Sequence, residues 1–170
     1  GEWNMSTLFV DTINEKTSGN GVAIPGHVVQ IQGVNPTTAQ TISSASYSDL
    51  TGYSITFTPK FSNSKLFFSW CYHVYVQEDS GWTGADTRLI GGSTTLSDGG
   101  TYGTAHNLSP YDNDRQMQYQ TRSHILTLSS ASAVTYKIQA ARVKLPSGGR
   151  AAQFNEYGGD CNFTIMEIAQ

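Results

Sequence analysis

The segment from Lys65 to Val76 restricts the fold more than any other part of this sequence. Alternate positions in it carry only large apolar or aromatic side chains: Leu66, Phe68, Trp70, Tyr72, Val74 and Val76. Successive side chains of a β-strand point to opposite faces of the sheet, so a strand here places all six on one face. The segment therefore predicts a long β-strand with one face in a hydrophobic core.

The opposite face of this strand is also unusually apolar, since it carries Phe67, Ser69, Cys71, His73 and Tyr75. A strand that faces water on one side normally presents polar residues there, so we expect something to cover this face as well. A subunit contact in a closed homo-oligomer would do so. That interpretation makes Phe67, Cys71, His73 and Tyr75 candidate interface residues; the alternative is a central strand that the same chain covers on both sides.

Strand-like runs of β-branched and aromatic residues, separated by turns rich in Gly, Ser and Asp, extend over the rest of the chain. No segment repeats apolar residues at the helical spacing i, i+3, i+4 and i+7 over three turns. Without helical crossovers, the strands are expected to be antiparallel, in a sandwich or a barrel. The ten predicted strands are 28–34, 40–47, 53–58, 65–76, 86–91, 101–108, 116–128, 134–144, 150–155 and 162–168.

One local pairing is also predicted. Residues 117–128 and 134–143 form two strand-like runs that are joined by the short Ser/Ala segment 129–133. A connection of this length is typical of a β-hairpin. We therefore expect the two runs to pair with each other.

Length and charge restrict the number of domains and the kinds of partner that the chain is expected to have. A chain of 170 residues favours one domain, which we place at 27–170 after a short N-terminal arm at 5–26. Because Met5 follows Gly-Glu-Trp-Asn, we set residues 1–4 aside as remnants of cloning. The net charge of -3 and the absence of any long Lys/Arg run argue against nucleic acid and anionic membranes as partners. No stretch approaches the roughly 18 apolar residues of a membrane-spanning helix, so membrane insertion is not expected.

Cys71 and Cys161 are the two cysteines, and each lies in an apolar, strand-like run. Two thiols at that separation match neither a zinc site nor a redox motif. We expect two buried, reduced cysteines, and the sequence leaves open whether they ever pair.

The motifs of common catalytic sites are missing from the sequence. There is no Gly-x-Ser-x-Gly, no phosphate-binding loop and no dinucleotide fingerprint, and a glycan hydrolase would need a cleft with two carboxylates that a chain of this size hardly builds. Residues 112–115 (Asp-Asn-Asp-Arg) lack the pattern of a calcium loop, and the four histidines show no metal-ligand spacing. The expectation is a protein that is not an enzyme and has neither a cofactor nor a bound metal.

Two loop regions, 78–84 and 98–114, offer a different chemistry. They place aromatic rings among short polar side chains, and a flat ring beside Asp or Asn suits the alternating CH and OH surfaces of a sugar. The candidate receptor-binding residues are Trp82, Tyr102, His106, Tyr111, Asp112 and Asp114. The alternatives are that the aromatic residues anchor the loops on the sandwich or form a subunit contact.

Several stretches, taken in order, resemble the small tail-fibre and virion-surface proteins of tailed bacteriophages. They are Ser6-Thr-Leu-Phe-Val-Asp-Thr-Ile, Thr17-Ser-Gly-Asn-Gly-Val-Ala-Ile-Pro-Gly-His, Ile55-Thr-Phe-Thr-Pro, Ser64-Lys-Leu, Ala133-Val-Thr-Tyr-Lys-Ile-Gln-Ala and Thr164-Ile-Met-Glu-Ile. The resemblance covers about 6–76 and 130–170; the middle, 77–129, matches only in Arg88-Leu-Ile-Gly-Gly-Ser. It implies a homotrimer of antiparallel jelly-roll sandwiches like the heads of tumour necrosis factor or C1q.

The resemblance also implies a location and a function. The expected place is the phage virion, on the tail or the capsid surface, after synthesis in the host cytoplasm. The first hypothesis is a tail-fibre-like head that binds a host surface receptor, a glycan above all, with its arm contacting other virion proteins. The second is a capsid decoration or cement trimer without a receptor, and the third is a secreted bacterial lectin or adhesin module.

Overall fold

A computed structural model of the chain describes residues 12–14, 22, 24–77, 82–99, 105–106, 115–145, 151–156 and 160–170. Within them the chain forms eleven β-strands and no helix. The strands are β1 (Val28–Val34), β2 (Gln40–Ile42), β3 (Ser48–Phe57), β4 (Lys65–Gln77), β5 (Trp82–Gly91), β6 (Thr94–Ser97), β7 (Ala105–His106), β8 (Arg115–Thr127), β9 (Val134–Leu145), β10 (Ala152–Phe154) and β11 (Phe163–Ile168). Most of the predicted N-terminal arm lies outside the described residues, which include 12–14, 22 and 24–26 of it.

The strands form two antiparallel sheets. In the first sheet, the order β1-β11-β4-β8 is extended by β10, which pairs with β4 beyond the end of β11, and by β2. In the second sheet, the order is β3-β9-β5-β6, and β7 also pairs with β5. Side chains from both sheets form one hydrophobic core, so the predicted all-β, antiparallel architecture is confirmed.

The core follows the alternation that the sequence shows. All six predicted core residues of β4 are completely buried. The second sheet contributes Tyr53 and Phe57 from β3, Leu89 from β5, and Ile138 from β9, each also fully buried. β-branched and aromatic residues at every second position are suited to a strand that buries one of its faces in the core.

The predicted hairpin between residues 117–128 and 134–143 is wrong. β8 pairs with β4 in the first sheet, whereas β9 pairs with β3 and β5 in the second. The connection at 128–133 therefore crosses from one layer to the other. Alternation shows which residues share a face, but it does not show which strand lies alongside.

Several strand boundaries also differ from the prediction. β6 was not predicted and forms a hairpin with β5, whose turn places Gly92 at a φ of 62°. Of the predicted run at 40–47 only β2 is a strand, while β3 begins at Ser48, ahead of the predicted start at 53. Of the run at 101–108, the described part is the short strand β7.

A buried carboxylate holds the end of the sandwich where the chain enters β4. Glu167 of β11 is completely buried and accepts hydrogen bonds from the backbone N–H groups of Lys60 and Phe61 at 2.9–3.0 Å, from Ser64 at 2.8 Å and from Gln30 at 2.6 Å. Burial alone would raise the pKa of this carboxyl group, but the hydrogen bonds outweigh burial and hold the pKa below its usual value. The carboxylate thus fixes the segment between β3 and β4.

Replacing Glu167 with Gln is expected to lower the free energy of unfolding by about 2 kcal/mol at pH 7, because the amide turns an N–H group toward buried donors. The folded-state pKa is depressed, so the stabilisation is present above the unfolded pKa near 4.5 and is lost as the pH falls through the folded pKa. The difference between the two proteins should therefore shrink in acid.

Urea denaturation at pH 7 and in acid, at one protein concentration, measures this difference. Asp49→Asn is the matched control, because Asp49 is paired with Lys137 at 2.8 Å but its side chain is 54% exposed. That change should cost less than about 1 kcal/mol. Equal losses for the two variants would contradict the role of Glu167.

Candidate functional site

The outer face of the first sheet carries a continuous row of apolar side chains. The strand register aligns Ile31 of β1 with Met166 of β11, Met166 with Phe67 of β4, and Phe67 with Ile125 of β8. Ile31 is 59% exposed and Ile125 is 60% exposed, while the two central members are half-buried. We call these four residues the apolar row.

A second exposed apolar region lies further along β4 and β8. The rings of His73 and Tyr119 stack with their centroids 4.7 Å apart, and Tyr75 lies opposite Met117 in the next outward-facing pair. Tyr119 is 69% exposed and Met117 is 51% exposed. Thr121 and Ser123 separate this region from the apolar row, so the outward side of β8 from 117 to 125 carries no charged side chain.

The polarity of β8 is inverted relative to that of a normal sandwich strand. Gln118, Gln120, Arg122 and His124 lie opposite core residues of β4 and therefore face the other sheet. Leu126 also packs against the core, but Met117, Tyr119 and Ile125 face outward, where the single chain leaves each more than half exposed. This arrangement favours a second protein surface over the first sheet.

Arg122 explains why the inward side of β8 can be polar. In the second sheet, β6 pairs with the end of β5 and β7 with its beginning, which leaves the edge of β5 at Thr87 without a ladder partner in the described residues. The Arg122 guanidinium donates to the Thr87 carbonyl oxygen and, at 2.5 Å, to that of Asp98. It also lies 5.3 Å from the Trp70 ring. One arginine thus closes the gap between the two sheets.

Asp86 balances the charge of this arginine. Its carboxylate is completely buried and lies 3.8 Å from Arg122 Nη1. It also accepts hydrogen bonds from the Tyr47 hydroxyl group and, at 3.2 Å, from the Gly99 N–H. Burial and then the hydrogen bond to Asp86 raise the pKa of Tyr47 well above its usual value. The cluster is structural because every charge in it has a partner within the chain.

The outer face of the second sheet is polar, in contrast to the first. Asp49 forms an ion pair with Lys137 and accepts a hydrogen bond from Gln139 at 2.6 Å. Gln139 in turn accepts one from Arg88 at 2.8 Å, and Arg88 lies 4.1 Å above the Tyr47 ring. Such a polar face is stable in water without cover. The apolar outer face of the first sheet, by contrast, is the one that a second protein surface would cover.

The structure distinguishes among the predicted interface residues. Phe67 and Cys71 are half-buried, but His73 is completely buried and Tyr75 is 7% exposed. The single chain therefore already covers His73 and Tyr75, as expected for a central strand that the same chain covers on both sides. The sequence prediction missed Ile31, and it missed the outward residues of β8 because the run 116–128 alternates without indicating which side faces the core.

The predicted receptor-binding residues fall mainly on parts of the chain that are not described. Tyr102, Tyr111, Asp112 and Asp114 lie outside the described residues, and for Trp82 and His106 the structure describes the backbone alone. β7 pairs with β5 through Gly84 and His106, so Trp82 and His106 belong to neighbouring strands at one end of the sandwich. Their proposed role stays a prediction.

The cysteine expectation is met in part. Cys161 is buried, Cys71 is half-buried, and both thiols are free. Over the same described residues there is no group of three or more His, Cys, Asp or Glu side chains that could hold a metal ion. Nor does that part of the chain contain a helix long and apolar enough to cross a membrane.

Comparisons with known proteins leave the family open. No family model matches the chain, and no curated protein matches it. Among solved structures, similarities include dimeric latent PorU from Porphyromonas gingivalis, with a TM-score of 0.43, 9% identity, and coverage of 90% of this chain and 14% of that one. Infectious bursal disease virus, Gt strain, gives a TM-score of 0.40 at 12% identity over 96% of this chain and 43% of that one.

A subviral particle of VP2 from infectious bursal disease virus gives a TM-score of 0.35 at 11% identity, over 83% of this chain and 37% of that one. The chain therefore spans less than half the length of each of these proteins. At such low similarity they carry no argument about function, which has to come from the chain itself.

The Arg122–Asp86 pair gives a prediction about stability. Arg122→Met should lower the free energy of unfolding by about 3 kcal/mol, because it leaves the Asp86 carboxylate buried without its cation. Adding Asp86→Asn should recover part of that loss. Chemical denaturation of the two single variants and the double variant measures the coupling, and strictly additive losses would show that the two groups do not interact.

Proposed function

We propose that this chain is a structural protein of a tailed-phage virion: a homotrimeric, tail-fibre-like head that binds a host surface receptor, a glycan above all, through the loops at one end of the sandwich. The observation that carries the proposal is the apolar row together with the outward side of β8, which carries no charged side chain from 117 to 125. An isolated sandwich would keep this face polar. A symmetric assembly covers such a surface, and the uncharged outward side of β8 brings no like charges together in a contact between copies.

The size of this face supports an oligomer. The ladder of β4 and β8 is 13 residues long, which corresponds to about 43 Å. Together with β11 and β1, the four strands present about 600 Å² before the relief of the side chains is counted. Each partner in a standard protein interface contributes roughly 600–1,000 Å², so the face reaches the lower end of the range for a stable contact.

The strand order supports the jelly-roll part of the proposal. The order β1-β11-β4-β8 lies against β3-β9-β5-β6, and the chain changes sheets from β3 to β4, from β4 to β5 and from β8 to β9. Eight strands in two antiparallel sheets with repeated crossings are typical of jelly rolls, the architecture of many capsid and lectin domains; here β10 and β2 add to the first sheet and β7 to the second. A trimer of such heads is the assembly that the sequence resemblance implies.

The positions of the arm and the loops support a head with two functional ends. Val28 at the start of β1 lies in the same cross-strand row as Ile168, Lys65 and Thr127, so the arm joins the sandwich where β4 begins. The candidate loops instead follow the end of β4 and precede the start of β8. Under this proposal, the arm contacts other virion proteins at one end of the sandwich, and the loops contact a receptor at the other.

The trimer is tested by solution mass and by one charged substitution. The wild-type protein should have about three times the chain mass of 18.4 kDa in light scattering coupled to size exclusion. Ile125→Asp should shift it to smaller species, because each copy would bury an unpaired carboxylate in the contact. Ser54→Asp, at an exposed position on the second sheet, is the control and should leave the mass unchanged.

A wild-type mass near 18.4 kDa would overturn the oligomer. If Ile125→Asp left a trimer intact, the contact would lie elsewhere on the molecule. In either case, circular dichroism of the variants confirms that the sandwich is still folded.

Receptor binding is tested on the loops. Replacing Trp82, Tyr102 and Tyr111 with Ala should abolish binding to host cells and to a glycan array while the solution mass stays unchanged, because stacking on the aromatic rings is lost. Under the decoration hypothesis, these substitutions would leave virion function intact, whereas deletion of residues 5–25 would prevent incorporation under both hypotheses. Glycan binding by a monomer would favour the lectin hypothesis.

A further inference from the structure

The two cysteines, far apart in the sequence, meet at a break in the first sheet. β11 pairs with β4 as far as Trp70 and β10 pairs with it from Val74, so the residues of β4 between them face the chain that connects β10 to β11. The Cys71 N–H donates to the carbonyl oxygen of Asn162 at 3.0 Å. The Cys71 sulfur accepts a hydrogen bond from the Asn162 N–H at 3.3 Å and donates one to the Asp160 carbonyl oxygen at 3.4 Å. It therefore contacts the residues on both sides of Cys161.

The Cys161 thiol belongs to the same cluster. It is buried and donates to the side-chain oxygen of Asn155 at 3.1 Å. The Tyr53 hydroxyl group lies 3.3 Å from that same oxygen and donates to the Cys71 carbonyl oxygen at 2.9 Å. Burial, and after it the neighbouring Cys161 thiol, raise the pKa of Cys71.

The backbone geometry at this break suits a bridge between the two residues. Cys71 lies opposite Asn162, so the Cα atom of Cys161 is one residue away along the opposite chain. In an antiparallel pair this offset corresponds to a Cα–Cα separation of about 6 Å. Disulfides join residues whose Cα atoms are about 4.4–6.8 Å apart, so this separation lies within the range for a bridge.

We propose that Cys71 and Cys161 form an intrachain disulfide when the protein meets a small disulfide oxidant such as oxidised glutathione. The half-buried Cys71 reacts first: its thiolate attacks one sulfur of oxidised glutathione, forms a mixed disulfide and releases one glutathione thiolate, which takes up a proton. The Cys161 thiolate then attacks the Cys71 sulfur and releases the second glutathione. The two protein thiols are oxidised, and one oxidised glutathione is reduced to two glutathione molecules.

The bridge would join β4 to the start of β11 and enclose about 90 residues. A loop of this length strongly reduces the entropy of the unfolded chain, which stabilises the folded protein. The protein would carry free thiols in a reducing cytoplasm and gain the bridge once outside it. The bridge depends only on this local geometry within one chain, so it is independent of the proposed assembly and receptor.

The test is an equilibrium measurement on the full chain. The protein is equilibrated with mixtures of reduced and oxidised glutathione, starting from the reduced and from the oxidised side, once in the folded state and once in denaturant. Intact mass and peptide mapping give the fraction with a Cys71–Cys161 bridge. Folding should increase the tendency to form the bridge at least about a hundredfold over the denatured chain, and the oxidised protein should melt about 10 °C higher.

Two single variants serve as controls. Cys161→Ser should stop at the mixed disulfide and retain one glutathione on Cys71, whereas Cys71→Ser should remain largely unmodified while folded because Cys161 is buried. The proposal is overturned if folding leaves the tendency to form the bridge unchanged or reduces it. It is equally overturned if the folded wild-type protein accumulates glutathione on each cysteine in place of the internal bridge.

Discussion

The long central strand β4 is the constraint on which the rest of this structure depends. Its inward residues form the middle of the core, and its edges pair with β8 on one side and with β11 and β10 on the other. Because one strand serves three partners, the break between β10 and β11 falls beside it and brings Cys71 to the residues around Cys161. The core, the cysteine cluster and the apolar outer face thus share one structural element.

At β8, charged and hydrogen-bonding groups join the two sheets, whereas at the centre of the sandwich apolar side chains do so. Arg122 extends from one sheet to the exposed backbone edge of the other, and Asp86 neutralises it from a buried position. Polar side chains fill most of the inward side of β8, where Leu126 is the apolar exception, and the other apolar side chains of β8 face outward. The Arg122–Asp86 pair and the apolar outer surface therefore both follow from the orientation of β8, which turns its polar side inward.

The two outer faces and the two ends then divide the functional possibilities. The second sheet carries a chain of paired polar groups that is stable in water, while the first sheet carries the apolar row. The arm enters where β4 begins, and the candidate receptor loops lie where β4 ends. In the proposed function, the apolar face joins the copies and the two ends have separate partners, as suits a small, repeated component of a larger particle.

The sequence by itself determined the all-β class, the antiparallel sheets and the buried face of β4, because alternation with period two is a local property of the chain. It did not determine that β8 and β9 lie in different sheets, nor that the apolar side of β8 faces outward. Tertiary structure alone decided these, since pairing partners and the inward direction depend on which strands lie alongside. The meeting of Cys71 with Cys161 has the same origin: contacts between residues so far apart in sequence exist only when the topology places their strands together.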